Sequence, residues 1–294
     1  MGAVAAKLDK KQFQHGDVIM EVRSLTKYFP VRLSFIQSLR TDKPPVLKAV
    51  DDVSFDVYKG EVLGIVGESG CGKTTLARTI LRLTDATSGS VRLEDVDIMK
   101  LNPLEMKNLR RKMQVIFQDP YESMNPRMDV QTIISEPLRI QGLAKTVHEA
   151  RDVVSSVLAD VEMIPPEEYM SRYPHELSGG QRQRVAVARA LALDPDFIVA
   201  DEPVSMLDVS IRGEVLNLML NLSREKGVTF VYITHDLATA RHICDRIAVM
   251  YLGKIVEMGT AEEVIRNPLH PYTTALIGAV FVPDPTHRGI SEVL

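Results

Sequence analysis

The chain has 294 residues, is 45% hydrophobic and 25% charged, and carries a formal net charge of −4. That length can bury a real core as one large domain or two smaller ones, while the acidic balance argues against a nucleic-acid binder, which shows a basic excess or stripe. Apolar runs such as residues 275–282 are far too short to span a bilayer, and two cysteines, Cys71 and Cys244, make neither a disulfide framework nor a four-thiolate metal site.

Residues 1–17 are polar and are expected to form a flexible tail. Lys7, Asp9, Lys10 and Lys11 leave no room there for a signal-peptide core, so a cytosolic chain is expected, held at any membrane by another chain. Residues 18–22 read as a strand. A loop with Pro44-Pro45 leads to residues 46–50 and to Val53-Ser54-Phe55-Asp56-Val57, whose period of two suits a half-buried strand. Asp51-Asp52 and Lys59-Gly60 supply turns. This opening is antiparallel β. Val62-Leu63-Gly64-Ile65-Val66 is then a short apolar run of the kind found in buried parallel strands, and residues 76–83 continue at helical period. Ser88-Gly89-Ser90-Val91-Arg92-Leu93 predicts a hairpin-like element, and Val115-Ile116-Phe117 a buried strand.

Helical segments follow as far as Pro174. Thr146 and Glu149 form a capping box ahead of a face made by Val147, Ala150, Val154, Val157 and Val161, and Pro165-Pro166 ends that helix. The stretch reads as a helical subdomain inserted at about residues 119–177 of an α/β core. A long helix over residues 182–193 comes next, then a strand at Phe197-Ile198-Val199-Ala200 ending in Asp201-Glu202, a helix over 211–222 and a strand over 228–233 running into Thr234-His235-Asp236. Residues 246–250 and 254–258 predict a hairpin about Gly253, and the tail from Asn267-Pro268 onward is expected to be mostly irregular.

Between the first buried strand and its helix lies Gly67-Glu68-Ser69-Gly70-Cys71-Gly72-Lys73-Thr74-Thr75, which satisfies the phosphate-loop pattern G-x-x-x-x-G-K-[ST]. Glycines let backbone N–H groups converge on an anion, and the helix N-terminus adds its dipole. Lys73 is then placed to reach the β- and γ-phosphates of a nucleoside triphosphate and Thr74 to put its hydroxyl on Mg²⁺. A plain glycine turn with a solvated lysine is the bland alternative, and the flanking strand and helix make it the weaker one. Asp201, at the end of an apolar strand, suits a Mg²⁺-holding aspartate, and Glu202 is placed to deprotonate the attacking water. His235 stands where a strand ends, at the edge where nucleotide sites form in parallel sheets, whereas the other six histidines read as structural. Gln118 also follows a strand and carries a carboxamide able to reach metal or water.

Leu177-Ser178-Gly179-Gly180-Gln181 at a helix start makes a second anion site. One chain does not need two sites for one triphosphate, so this one is expected to act on a partner chain's γ-phosphate. In order, the phosphate loop, Gln118, Leu177–Gln181, Asp201-Glu202, Ser205-Met206-Leu207-Asp208 and His235 resemble the nucleotide-binding subunit of ATP-binding cassette transporters, over about residues 18–285. The resemblance implies an α/β, P-loop NTPase (RecA-like) core with an N-terminal antiparallel β subdomain and the inserted α-helical subdomain meeting the membrane chains. It implies a nucleotide-binding domain at 18–250 and a family-specific hairpin and tail at 251–294. ATP and Mg²⁺ are the implied cofactors, with Asp208 touching the opposite subunit. Phe29 is the adenine-stacking aromatic by its spacing from Leu25, with Tyr28 a near rival.

A narrower likeness lies in Gln118-Asp119-Pro120-Tyr121-Glu122-Ser123-Met124-Asn125-Pro126-Arg127 and in Asn267-Pro268-Leu269-His270-Pro271-Tyr272-Thr273 followed by Val282-Pro283-Asp284-Pro285. These resemble oligopeptide and dipeptide importers. The tail lacks cysteine, so the chain looks like the ATPase type without an iron–sulfur cluster. Glu122 departs from the Ser more usual in that loop, and a little of the family's tail is expected to lie beyond the end. The implied partners are a second ATPase subunit, expected to be a distinct homologue, two transmembrane permease subunits and an extracytoplasmic substrate-binding protein, at the cytoplasmic face of the membrane, with no nucleic acid. The rival readings are an importer ATPase for nickel or oligosaccharide and a soluble cassette ATPase outside transport.

Overall fold

Short apolar runs bounded by turns become the sheets of the computed structural model, which describes residues 17–31 and 45–279. The expected tail over residues 1–16, the loop that holds Pro44 and the motif Val282-Pro283-Asp284-Pro285 lie outside those residues. β1 (Val18–Pro30) and β2 (Val46–Tyr58) pair antiparallel. With β4 (Ser88–Leu93) and β5 (Val96–Asp97) they form a four-stranded sheet in the order β2-β1-β4-β5. The expected turn at Asp51-Asp52 is not one. β2 runs straight through it, with Asp52 at φ 58 and slips in the β1–β2 register absorbing the irregularity. The turn at Lys59-Gly60 is present, with Gly60 at φ 72.

The second sheet carries β6 (Met113–Ile116), β7 (Phe197–Asp201), β8 (Thr229–Thr234), β3 (Val62–Val66), β9 (Arg246–Tyr251) and β10 (Lys254–Thr260), side by side in that order. All pairs are parallel except β9 with β10, the hairpin expected about Gly253. Its central strands are buried on both faces. In β3, Leu63 and Ile65 face one apolar cluster with the antiparallel sheet and α1 (Lys73–Ile80), while Val62 and Val66 face another with the helices. β8 alternates in the same way, with Val231 and Ile233 on one side and Phe230 and Tyr232 on the other. Period two with both faces apolar is why these runs are continuous in sequence and parallel in space.

A helix, α2 (Pro103–Leu109), precedes β6. Beyond β6 come α3 (Pro120–Ser123), α4 (Val130–Ile140), α5 (Arg151–Asp160) and α6 (Pro166–Met170), then α7 (Gly179–Leu191). No strand interrupts that stretch among the described residues. The Thr146 hydroxyl accepts the Glu149 N–H at 3.2 Å, but regular helix starts only at Arg151, and the Glu149 carboxylate takes the Lys145 N–H instead of closing a full box. α8 (Val209–Lys226) and α9 (Leu237–Ile243) flank β8 in the chain. Two short helices follow the hairpin, one ahead of the tail that begins at Asn267 and one within it. α10 (Ala261–Arg266) starts on a Thr260/Glu263 capping box, and α11 (Pro271–Gly278) on His270 with proline at its first turn.

Candidate nucleotide site

β3 ends at Val66 and the chain winds through a glycine loop into α1. Two glycines there admit no side chain. Gly67 sits at φ 158, where a Cβ would meet the Met250 carbonyl oxygen at 2.3 Å, and Gly72 at φ 115, where it would meet that of Ala49 at 2.1 Å. The loop therefore lies pressed between β2 and the end of β9. The Gly253 N–H donates to the Cys71 carbonyl at 2.9 Å, clipping the hairpin onto it. Lys73 opens α1 and is buried, its ammonium donating to the carbonyl oxygens of Gly67 at 2.7 Å and Glu68 at 2.8 Å. The Cys71 thiol is also buried, and burial pushes its pKa up although Lys73 is near.

Thr74, the next residue, donates its hydroxyl to Asp201 Oδ1 at 3.2 Å, across 127 positions of sequence. Asp201 is the buried last residue of β7, and burial raises its carboxyl above the ordinary range against the pull of the Thr74 hydroxyl. A hydroxyl beside a carboxylate is a hard-oxygen pair, the donor chemistry Mg²⁺ takes. Glu202 follows in the left-handed region at φ 46, its N–H bonded to the Ile233 carbonyl at 3.0 Å. That backbone turn is uncommon for a non-glycine residue and re-aims the carboxylate. Glu202 Oε2 lies 3.1 Å from His235 Nδ1 and accepts the Gln118 Nε2 donor at 3.3 Å.

Four neighbouring parallel strands thus deliver the set from their C-terminal ends: the loop after β3, His235 after β8, Asp201 and Glu202 at β7, and Gln118 after β6. Ligands of open α/β sheets bind at that edge. The loop from Glu68 to Thr75 with Gln118, Glu202 and His235 lines a cavity of about 850 Å³, and Phe29 forms part of its wall. Tyr28 is not among the lining residues. Its hydroxyl donates to Asp51 and its ring lies under Lys48 Nζ, 5.2 Å from the centroid.

The sequence motif over 177–181 behaves differently. Ser178 caps α7, its hydroxyl accepting the Gln181 N–H at 3.2 Å while Gln181 Oε1 accepts the Ser178 N–H at 3.0 Å. Ser178, Gly179, Gly180, Gln181 and Asp208 line no part of the cavity that holds Lys73. Asp208 is exposed at the start of α8 and makes no side-chain cap bond. The side chain of Glu122 lies outside the described residues.

Sequence reasoning missed part of the wall. Leu47, Lys48, Ala49, Leu252 and Gly253 line the cavity, and so does Leu276 of α11. Tyr272, one helical turn before it, accepts the Glu68 N–H on its hydroxyl at 3.0 Å. The only sequence signal was the histidine-proline-tyrosine run 270–272, which marks a tail type and says nothing of where the tail docks. Among the described residues no helix is long and apolar enough to cross a membrane.

A family profile described as "ABC transporter" matches residues 50–205, and one described as "Oligopeptide/dipeptide transporter, C-terminal region" matches residues 256–293. The oligopeptide transport ATP-binding protein OppF of Bacillus subtilis is 54% identical over 82% of this chain and 79% of its own length. A probable peptide ABC transporter ATP-binding protein, y4tS, of Sinorhizobium fredii is 48% identical over 95% and 77%. Among solved structures, the dimeric ATP-binding cassette MJ0796 in a post-hydrolysis state bound to ADP and Pi superposes with a TM-score of 0.70 at 29% identity, over 82% of this chain and 98% of that one.

Proposed function

The chain belongs to the ABC transporter family, and on that premise we propose that it is the ATP-hydrolysing subunit of an importer of oligopeptides or dipeptides. The observation that carries the enzymatic reading is Glu202, which lines the glycine-loop cavity with its carboxylate in contact with His235 and Gln118. The peptide assignment is supported by the match of the C-terminal residues 256–293 and by the names of the relatives.

Each residue then has a task. The loop N–H groups and Lys73 hold the β- and γ-phosphates, the ammonium leaving the Gly67 and Glu68 carbonyls for better-charged oxygens. Thr74 and Asp201, already side by side, would hold Mg²⁺, Asp201 through the ion's water shell, and the ion would offset charge on the phosphates. Bound Mg-ATP supplies the transferable phosphoryl group. Glu202 takes the proton of the attacking water, His235 fixes the carboxylate's direction, and Gln118 positions the water from the other side. Phe29 offers its ring at the cavity wall for the adenine. Ser178, Gly179, Gly180, Gln181 and Asp208 serve the γ-phosphate and interface of a second ATPase subunit in a head-to-tail pair. Binding then favours the closed pair because only that state completes both sites. The helical insertion over 119–177 faces two permease subunits at the membrane, and an external binding protein selects the solute.

Uptake of a radiolabelled tripeptide tests this. Cells lacking the chain are expected to lose uptake, to regain it with the wild-type chain and to stay deficient with Lys73→Ala. Peptide uptake that persists without the chain, with nickel or oligosaccharide uptake lost, would move the assignment to those solutes.

A further inference from the structure

Once the loop and its carboxylates have roles, the docking of α11 on the loop remains without one. The phosphate loop is a costly segment to order, since Gly67, Gly70 and Gly72 all stand at positive φ. Glu68 lies at its open end, and both its backbone groups are engaged. Its carbonyl accepts the Lys73 ammonium at 2.8 Å, and its N–H donates to the Tyr272 hydroxyl at 3.0 Å, from 204 residues away.

Tyr272 is itself held firmly. Its ring packs on Tyr251, the last residue of β9, with centroids 4.2 Å apart. Glu257 of β10 accepts the N–H groups of Leu269 at 2.8 Å and His270 at 3.0 Å, fixing where α11 begins. His270 Nδ1 then accepts the Tyr272 N–H at 3.1 Å. One turn further, Leu276 reaches the wall of the same cavity.

We propose that Tyr272 is a positioning residue for the phosphate loop, through which the C-terminal segment sets the affinity of the nucleotide site. By holding the Glu68 peptide, the hydroxyl keeps the loop wound in advance of binding, so less ordering opposes binding. The reading rests on the nucleotide assignment above. By reciprocity, nucleotide on the loop stabilises the docked tail by the same factor.

Tyr272→Phe tests it in the full-length chain, because it removes the hydroxyl and leaves the ring on Tyr251. Titration with the fluorescent probe mant-ATP and Mg²⁺ should show affinity reduced about two- to tenfold, the range of one lost hydrogen bond. In the membrane-assembled complex KM for ATP should rise by the same factor with kcat unchanged. Amide hydrogen exchange without nucleotide should quicken at residues 67–72 and stay as in the wild type over 271–278. Unchanged or tighter probe binding overturns the proposal. So does exchange that quickens across 271–278 as well, since the tyrosine would then only pack the tail. A wild-type chain that fails to bind mant-ATP counts against the nucleotide assignment, while the exchange comparison, made without nucleotide, still decides whether Tyr272 holds the loop.

Discussion

Glu202 Oε2 is shared by two groups of different kinds, an imidazole nitrogen at 3.1 Å and a carboxamide at 3.3 Å. Glu202→Gln keeps the size of the side chain and leaves a carbonyl oxygen for both neighbours, but takes no proton. ATP hydrolysis should fall roughly 10²–10⁴-fold, the usual loss of a general base, while mant-ATP affinity stays as it was. Hydrolysis near the wild-type rate would place the base elsewhere. A second carboxylate acts on stability instead. Glu61, between β2 and β3, is fully buried, accepts the Tyr58 N–H at 2.8 Å and pairs with Arg246 at 3.1 Å. Burial outweighs those partners and pushes its pKa up from 4.5 to about 7. The fold thus favours the neutral acid. Its contribution, on the order of 3 kcal/mol at most, is complete below about pH 4.5 and is lost as pH rises through 7. Melting temperatures between pH 5 and 8 should therefore decline less steeply in Glu61→Gln than in the wild type, because the neutral amide has no proton to lose on that interval. Equal slopes would mean that Glu61 stays ionised.

Among the elements, α7 shows how one motif serves two ends. Ser178 and Gln181 close a reciprocal capping box, which satisfies orphan N–H groups at the start of a 13-residue helix whose buried face includes Val185, Ala188 and Leu191. Ser178→Ala should cost about 1 kcal/mol of unfolding free energy in denaturant titration. No measurable loss would mean that water caps the helix equally well. The same helix start was legible in sequence, as were the glycine loop, the strand ends that carry Asp201, Glu202 and His235, and the hairpin about Gly253, because each is written within a few neighbouring residues. β2 was less legible. Asp51-Asp52 has the composition of a turn, and only the pairing with β1 keeps the strand going past a residue at φ 58. The short helices α10 and α11 did leave local marks, Thr260 with Glu263 and His270 with Pro271, the second set among the prolines of the tail. The contact of Tyr272 with Glu68 left none, since nothing local encodes which loop a tail will touch.

For the whole molecule, the decisive fact is a separation. Lys73, Thr74 and Glu202 share one cavity, and Ser178 to Gln181 line no part of it. The start of α7 packs closely on α8 instead, where a Cβ on Gly180 would meet Ile211 Cγ2 at 2.5 Å. On the function proposed above, the helix starts at Lys73 and Ser178 serve two ATP molecules on two chains. Lys73→Ala should abolish photoaffinity labelling of this chain by azido-ATP. Ser178→Arg should leave that labelling intact and impair hydrolysis, because a bulky cation obstructs only the closed interface, and Ser178→Ala separates this effect from the lost cap. With the distinct homologous partner expected here, mixing the two inactive variants should restore nothing, and azido-ATP labelling of the partner should report the Ser178 defect. Partial recovery on mixing would show that the chain pairs with itself, since one hybrid site then keeps both an intact Lys73 and an intact Ser178. Loss of labelling on the Ser178→Arg chain itself, with its fold intact by circular dichroism, would put both residues on one nucleotide and sink the two-chain arrangement.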